Sequence, residues 1–189
     1  MGAQSVSCEP GCSSSSYEHE SGQAKSDQSA TQDLRTACID LLARREHSCL
    51  ELRRKMTRKF KDRFSAEQIE RAIETLAAEG LQSDLRFTES FTRAKYERGD
   101  GPYKIKAALQ ERGVHSGLIE QALEDEQLDW QRRALLLHRR RFSGVSEAIE
   151  GDGESNNEYS EVRLKQRAKE MRFLQSRGFP KDIIYSVLG

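Results

Sequence analysis

Two stretches of this chain can be laid one upon the other. KAALQERGVHSGLIEQAL, from Lys106 to Leu123, matches MRFLQSRGFPKDIIYSVL, from Met171 to Leu188, at a shift of 65 residues. Leu109 falls on Leu174, Gln110 on Gln175, Arg112-Gly113 on Arg177-Gly178, Ile119 on Ile184 and Leu123 on Leu188. Nearer the start, Leu52, Met56, Ile69 and Ile73 take equivalent places, with three extra residues in the turn. Self-similarity at a period of about 45 to 65 residues marks a modular array of supersecondary units. Units this small bury a poor core alone, so neighbours must lean on one another. About a third of the 189 residues are charged and 35% hydrophobic, a balance that suits helices with one wet face better than a large layered core.

Helical periodicity sets the unit boundaries. Leu34, Ala37, Cys38, Leu41 and Leu42 follow the i, i+3, i+4, i+7, i+8 rule and predict a helix over 33–45. Ser48-Cys49-Leu50-Glu51 reads as a capping box opening a second helix, with Cys49, Leu52, Met56 and Phe60 on its inner stripe. Another box, Ser65 to Gln68, opens a third with Ile69, Ala72, Ile73, Leu76 and Ala77 inward, stopped by Gly80. The pattern recurs. A helix capped by Ser83 or Asp84 carries Phe87, Phe91 and Ala94, and Pro102 opens one with Ile105, Ala108 and Leu109. A short third carries Leu118, Ile119, Ala122 and Leu123. The last unit starts near Asp125 with Leu128, Trp130, Ala134, Leu135 and Leu137 and runs to Phe142, resumes over about 159–176, and ends with a helix from Pro180 to Leu188. The expected organisation is a Ser/Gly-rich disordered tail over 1–31, then three-helix repeats over 32–80, 81–124 and 125–189, the last carrying an acidic loop insertion at about 143–158.

Charge is balanced at 31 basic and 31 acidic residues, but the signs are separated. From Leu34 to Arg63 there are ten Lys/Arg against four Asp/Glu, and from Arg163 to Lys181 seven against one. Basic faces on a neutral chain point to an anionic partner. No apolar run reaches the length of a membrane span, the N-terminus lacks signal-peptide order, and Val6 breaks the myristoylation pattern. Four cysteines give neither a disulfide framework nor zinc spacing, because Cys8 and Cys12 have no second ligand pair. A cytoplasmic protein without metal or cofactor is expected.

Three stretches, taken in order, resemble the RecX family of RecA regulators. They are ARREHSCLELRRKM, then LAAEGLQSDLRFTESFTRAKYERGDGPYKIKAALQERGV with its EGL-x-x-D-x-RF-x-E and G-x-G-P turns, then RFLQSRGFPKDIIYSVL with SRGF. The resemblance runs from about Leu34 to Leu188; the tail and the acidic insertion fall outside the family pattern. It implies an all-α, elongated and curved tandem array of three three-helix, helix-turn-helix-like repeats. It further implies a protein that lies in the groove of the RecA–single-stranded DNA filament and restrains RecA's ATPase, filament extension and strand exchange; a monomer is the default expectation.

The residues themselves supply candidate contacts off the apolar stripes: Arg44, Arg45, Arg53, Arg54 and Arg58, then Lys95, Arg98, Lys104 and Lys106, then Arg139, Arg140 and Arg141. The plain alternative for each is a solvated helix face. Catalysis fits poorly. In REHSCLELRRKM, His47 and Cys49 stand two apart at a helix start, where side chains do not face each other; His47 reads as linker, and Cys49, like Cys38, reads as a buried thiol. His19, His115 and His138 are scattered, and Gly99-Asp100-Gly101-Pro102 reads as a helix-to-helix turn, not a phosphate loop. Trp130, Phe87 and Phe91 read as core and not as base-stacking platforms. The rival function is a stand-alone helical nucleic-acid binder touching phosphates non-specifically. A base-reading helix is disfavoured, because the one after Gly113 begins His-Ser-Gly-Leu-Ile-Glu.

Overall fold

The computed structural model describes the backbone of residues 20–125, 127–149 and 157–189, with side chains from 31 onward except at 62, 144–149 and 157–160. Among these residues every regular element is a helix, and turns connect them. Unit 1 comprises α1 (Glu20–Leu42), α2 (Cys49–Phe60), a 3₁₀ turn (Lys61–Arg63) and α3 (Ala66–Ala78). Unit 2 comprises α4 (Asp84–Glu97), α5 (Pro102–Gln110) and α6 (Ser116–Leu123). Unit 3 comprises α7 (Trp130–Ile149), α8 (Asn157–Arg177) and α9 (Lys181–Leu188). Substantial helix-to-helix packing is confined within the units.

Local chemistry explains the starts. Ser65 and Gln68 close a complete capping box, with Ser65 Oγ accepting the Gln68 N–H at 3.2 Å and Gln68 Oε1 accepting the Ser65 N–H at 2.8 Å. Ser83 caps α4, Pro102 stands at the first turn of α5, and Asp129 Oδ1 takes the Arg132 N–H at 2.8 Å to open α7. The overlay of the two repeats is structural as well: Gly113 and Gly178 both hold left-handed φ, at 72° and 90°.

Each unit closes its own core. Leu34, Cys38, Leu52, Met56, Ile69, Ile73 and Leu76 form the first; Phe87, Ile105, Leu109 and Ile119 the second; Ala134, Leu174, Phe179 and Ile184 the third. The apolar stripes expected from periodicity supply nearly all of these, except that Ala77 and Ala94 are exposed.

Three boundaries depart from expectation. α1 begins at Glu20, so 20–31 is helical and not a disordered tail; the first 19 residues of that expected tail lie outside the described residues. Once Leu34, Ala37 and Cys38 anchor the helix, each further residue adds a hydrogen bond, and 20–31 contains no proline to stop it. α7 starts at Trp130, where Asp129 caps it, and continues to Ile149, so the insertion expected to begin at 143 is helical for its first seven residues; 150–156 lie outside the described residues. His47 is no linker: it is 1% exposed, with Nδ1 2.9 Å from Glu51 Oε2.

Two joints hold the units in line. Between units 1 and 2 the joint is polar. Ser48 Oγ donates to the Arg112 carbonyl at 2.8 Å, and Arg112 Nε donates to Glu51 Oε1 at 3.1 Å. The Cys49 N–H donates to Asp84 Oδ1 at 2.9 Å, so unit 2 caps a helix of unit 1. Gln82 Nε2 donates to Asp84 Oδ1 and to the His47 carbonyl, and Arg86 Nε donates to Glu46 at 2.9 Å. Glu51 satisfies only half of its expected capping box, because its carboxylate turns to Arg45, His47 and Arg112.

Between units 2 and 3 the backbones themselves touch. The Gly101 N–H donates to the Arg177 carbonyl at 2.7 Å and the Tyr103 N–H to the Gly178 carbonyl at 3.0 Å. Trp130 packs against the cores of both units, edge-on to Tyr96 at 5.1 Å, and gives its Nε1–H to the Leu123 carbonyl.

A methyl group at Gly101 would lie 2.5 Å from the Gly178 carbonyl carbon and oxygen, and neither backbone can yield without breaking the joint. Gly101→Ala is therefore expected to cost about 1–3 kcal/mol in denaturant unfolding and to sensitise unit 3 to limited proteolysis. Gly117→Ala, whose nearest neighbour is its own turn's His115 at 3.4 Å, should stay within about 0.5 kcal/mol of the parent.

The unit 1–2 joint also titrates. Burial holds the His47 imidazole below its ordinary 6.5, outweighing the Glu51 hydrogen bond that favours the proton, so a neutral ring donates its Nδ1–H to the carboxylate. Burial pushes the Glu51 carboxyl up, but the His47 hydrogen bond and Arg45 outweigh it and hold the group below its ordinary 4.5. For His47 the unfolded chain takes the proton first. Stability is therefore full above about 6.5 and falls as pH drops below it, with a further loss from Glu51 below about 4.5. His47→Asn keeps a donor and removes the titration; urea midpoints measured from pH 7.5 to 5 should decline less for this variant than for the parent.

Candidate functional site

The polar joint leaves a cleft between units 1 and 2. Its volume is about 510 Å³, and Phe87 and Phe91 line it together with the cations Arg45, Lys95, Arg98 and Arg112 and the carboxylates Glu46 and Glu51. Arg112 lies over the Phe91 ring at 4.8 Å and Lys95 over the same ring at 5.5 Å. Three expected contacts, Arg45, Lys95 and Arg98, thus share one wall system, and Arg112, which sequence reasoning used only to align repeats, joins them.

A second basic hollow, of about 420 Å³, lies between α1 and α2. Arg44, Lys55, Arg58 and Lys59 surround it, over Ala37, Leu41 and Met56, with Asp40 among the lining. Arg44 and Arg58 were expected; Lys55 and Lys59 were not. Their signal was present, since 55, 58 and 59 follow i, i+3, i+4 and share one face of α2.

The other expected cations have neighbours of their own. Arg53 forks onto the Glu70 carboxylate of α3 within unit 1, which holds its guanidinium proton more tightly. Arg54 reaches the Glu111 carbonyl of unit 2 at 3.3 Å. Lys104 and Lys95 flank the buried Asp100 at 2.8 and 3.6 Å in the α4–α5 turn, and Lys106 stands 3.6 Å from Glu120. Arg139, Arg140 and Arg141 are exposed on α7, beside Phe142, which packs edge-on to Phe173 of α8 at 5.6 Å. Two groups of the twelve cations thus line hollows, and Arg53, Arg54, Lys104 and Lys106 have partners within the chain.

The thiols are placed against reactivity. Burial pushes Cys38 up to about 11, and burial with the Asp84 charge does the same for Cys49, whose S–H donates to Gln82 Oε1 at 3.1 Å. Both are thiols at neutral pH, and the only imidazole in the stretch is committed to Glu51. Among the described residues no group of three or more His, Cys, Asp and Glu could hold a metal, and no helix is long and apolar enough to cross a membrane. What this arrangement offers is binding by charge and apolar lining.

Known proteins share this chain's architecture. The family model for the second three-helix domain of RecX matches residues 83–123, which span α4 to α6. The regulatory protein RecX of Halorhodospira halophila is 36% identical over 153 residues, covering 81% of this chain and 84% of that protein. That of Pseudomonas savastanoi pv. phaseolicola is 37% identical over 156 residues, covering 82% and 89%. A crystal structure of RecX from Lactobacillus salivarius superposes with a TM-score of 0.66 at 20% identity, over 85% of this chain and 96% of that one. Another, of a regulatory protein RecX, gives 0.68 at 15%, over 92% and 78%; these two speak for the fold. With tandem three-helix units joined through the same stretches that carry the resemblance, and relatives above one-third identity along four-fifths of its length, the chain belongs to the RecX family of regulatory proteins.

Proposed function

We propose that this protein binds in the groove of the RecA–single-stranded DNA filament and modulates RecA, mainly by inhibition of ATP hydrolysis, filament extension and strand exchange. Recombinational repair and the SOS response are regulated as a consequence. It acts as a cytoplasmic monomer without catalysis or cofactor; the nucleotide belongs to the partner. The observation that carries this reading, given the family, is the cleft between units 1 and 2. Its Arg45, Lys95, Arg98 and Arg112 together with Phe87 and Phe91 suit an acidic, partly apolar protein segment. Arg53, Arg54, Lys104, Lys106 and Arg139 to Arg141 belong to the remainder of the docking face in this reading.

Titration of the full chain into RecA ATP hydrolysis on single-stranded DNA is expected to lower the rate to a plateau. Unchanged hydrolysis at saturating protein would sink the proposal. Arg98→Glu reverses an exposed cleft charge while leaving the joint's hydrogen bonds in place. It should raise the concentration for half-inhibition about tenfold, with helix content and thermal midpoint preserved.

A further inference from the structure

Unit 1 treats its cations in two ways. Arg35 pairs with Glu79, Arg45 with Glu51, Arg53 with Glu70 and Arg63 with Asp33. Arg44, Lys55 and Arg58 make no ion pair with any described residue, although they and Lys59 crowd around one hollow with Asp40. Lys59 instead sits 5.2 Å from the centre of the Phe60 ring. Helix-end placement explains Arg58 and Lys59 singly, since cations at a C-terminus face the negative end of the dipole. It accounts for Arg44 as well, just past the end of α1, but not for Lys55, in mid-helix, nor for the gathering of all four from two helices around one hollow.

The crowding has a cost that the free protein bears. Burial, then the charge of Arg45, and after it Arg58 and Arg44, lower the hold of Lys55 on its proton, with Glu51 opposing. One carboxylate, Asp40, stands among the four cations and leaves an excess of positive charge, which an anion from outside relieves.

We infer that the hollow between α1 and α2 is a phosphate site for a nucleic-acid backbone, built from Arg44, Lys55, Arg58 and Lys59. Guanidinium forks match phosphate oxygens, and the lysines add point charges at the same place. The lining is Ala37, Asp40, Leu41 and Met56 besides the four cations. It contains no Asn or Gln to read a base edge and no aromatic ring on which to stack one. The site therefore positions a strand without reading its sequence. It goes beyond the proposed protein cleft and does not depend on it.

The test contains no recombinase, so its failure is separate from failure of the filament reading. Binding of the full chain to a dye-labelled oligothymidylate is followed by anisotropy across a salt series. For Arg44→Gln/Lys55→Gln/Arg58→Gln, the slope of log affinity against log salt should shrink by about 2, as loss of three single-strand phosphate contacts requires. The low-salt dissociation constant should rise at least about tenfold. A control triple, Arg71→Gln/Arg93→Gln/Lys181→Gln, removes equal charge elsewhere and should shift affinity no more than about twofold. Should the first triple lose its thermal transition, the exposed pair Arg44→Gln/Arg58→Gln replaces it, with an expected slope change of about 1.4. An unchanged slope, an equal loss in the control triple, or competition by polyglutamate as effective as by oligonucleotide overturns the site.

Discussion

The joint between units 1 and 2 turns on one carboxylate. Glu51, on the first turn of α2, receives Arg45 at 3.1 Å, the His47 imidazole at 2.9 Å and Arg112 of the next unit at 3.1 Å. With 15% of its side chain exposed, it is dry enough for those bonds to count and wet enough to remain charged. A three-helix unit of this size buries a marginal core. Direction between units then has to come from bonds with fixed geometry, because apolar contact alone would let them slide. Glu51, Ser48 and Asp84 supply that geometry, and the cleft lined by Phe87 and Phe91 is the space the joint leaves beside itself.

The second joint solves the same problem with backbone. Gly101 and Gly178 let two turns approach until N–H and carbonyl groups pair across them, and Trp130 seals the seam by touching both cores. The three stretches that carry the family resemblance are these joints. In EGL-x-x-D-x-RF, Asp84 caps a helix of the preceding unit, Arg86 reaches Glu46 and Phe87 enters the core. In G-x-G-P and SRGF, the glycines make the backbone contact and Phe179 fills unit 3. Joints of fixed geometry hold the basic surfaces of neighbouring units at a set spacing, and such spacing decides register wherever charge steers an encounter.

The helices were legible because periodicity and caps are local. Ile69, Ile73 and Leu76, or Leu109 and Ile119, follow from spacing alone, and Ser65 with Gln68 announced its box. What depended on distant partners was not legible. His47 looked like linker because Gln82, 35 residues on, completes its surroundings by donating to its carbonyl, while Glu51, only four residues on, read as a capping residue and not as its partner. Helix ends at Glu20 and Ile149 ran past the last anchors among the described side chains because propagation, once nucleated, needs only the absence of a stop. The basic clusters were legible as counts and not as surfaces: Arg53 finds Glu70 and Lys104 finds Asp100, while Lys55 gathers with Arg44 and Arg58.

Unit 1 and unit 2 are coupled through the Glu51–Arg112 bond and not merely tethered by the chain. A double-mutant cycle of Glu51→Gln and Arg112→Gln, read by urea unfolding at pH 7, tests this directly. A coupling energy of about 1–3 kcal/mol between the two positions is expected. Additivity within about 0.3–0.5 kcal/mol would contradict it and leave the units as independent modules on a string.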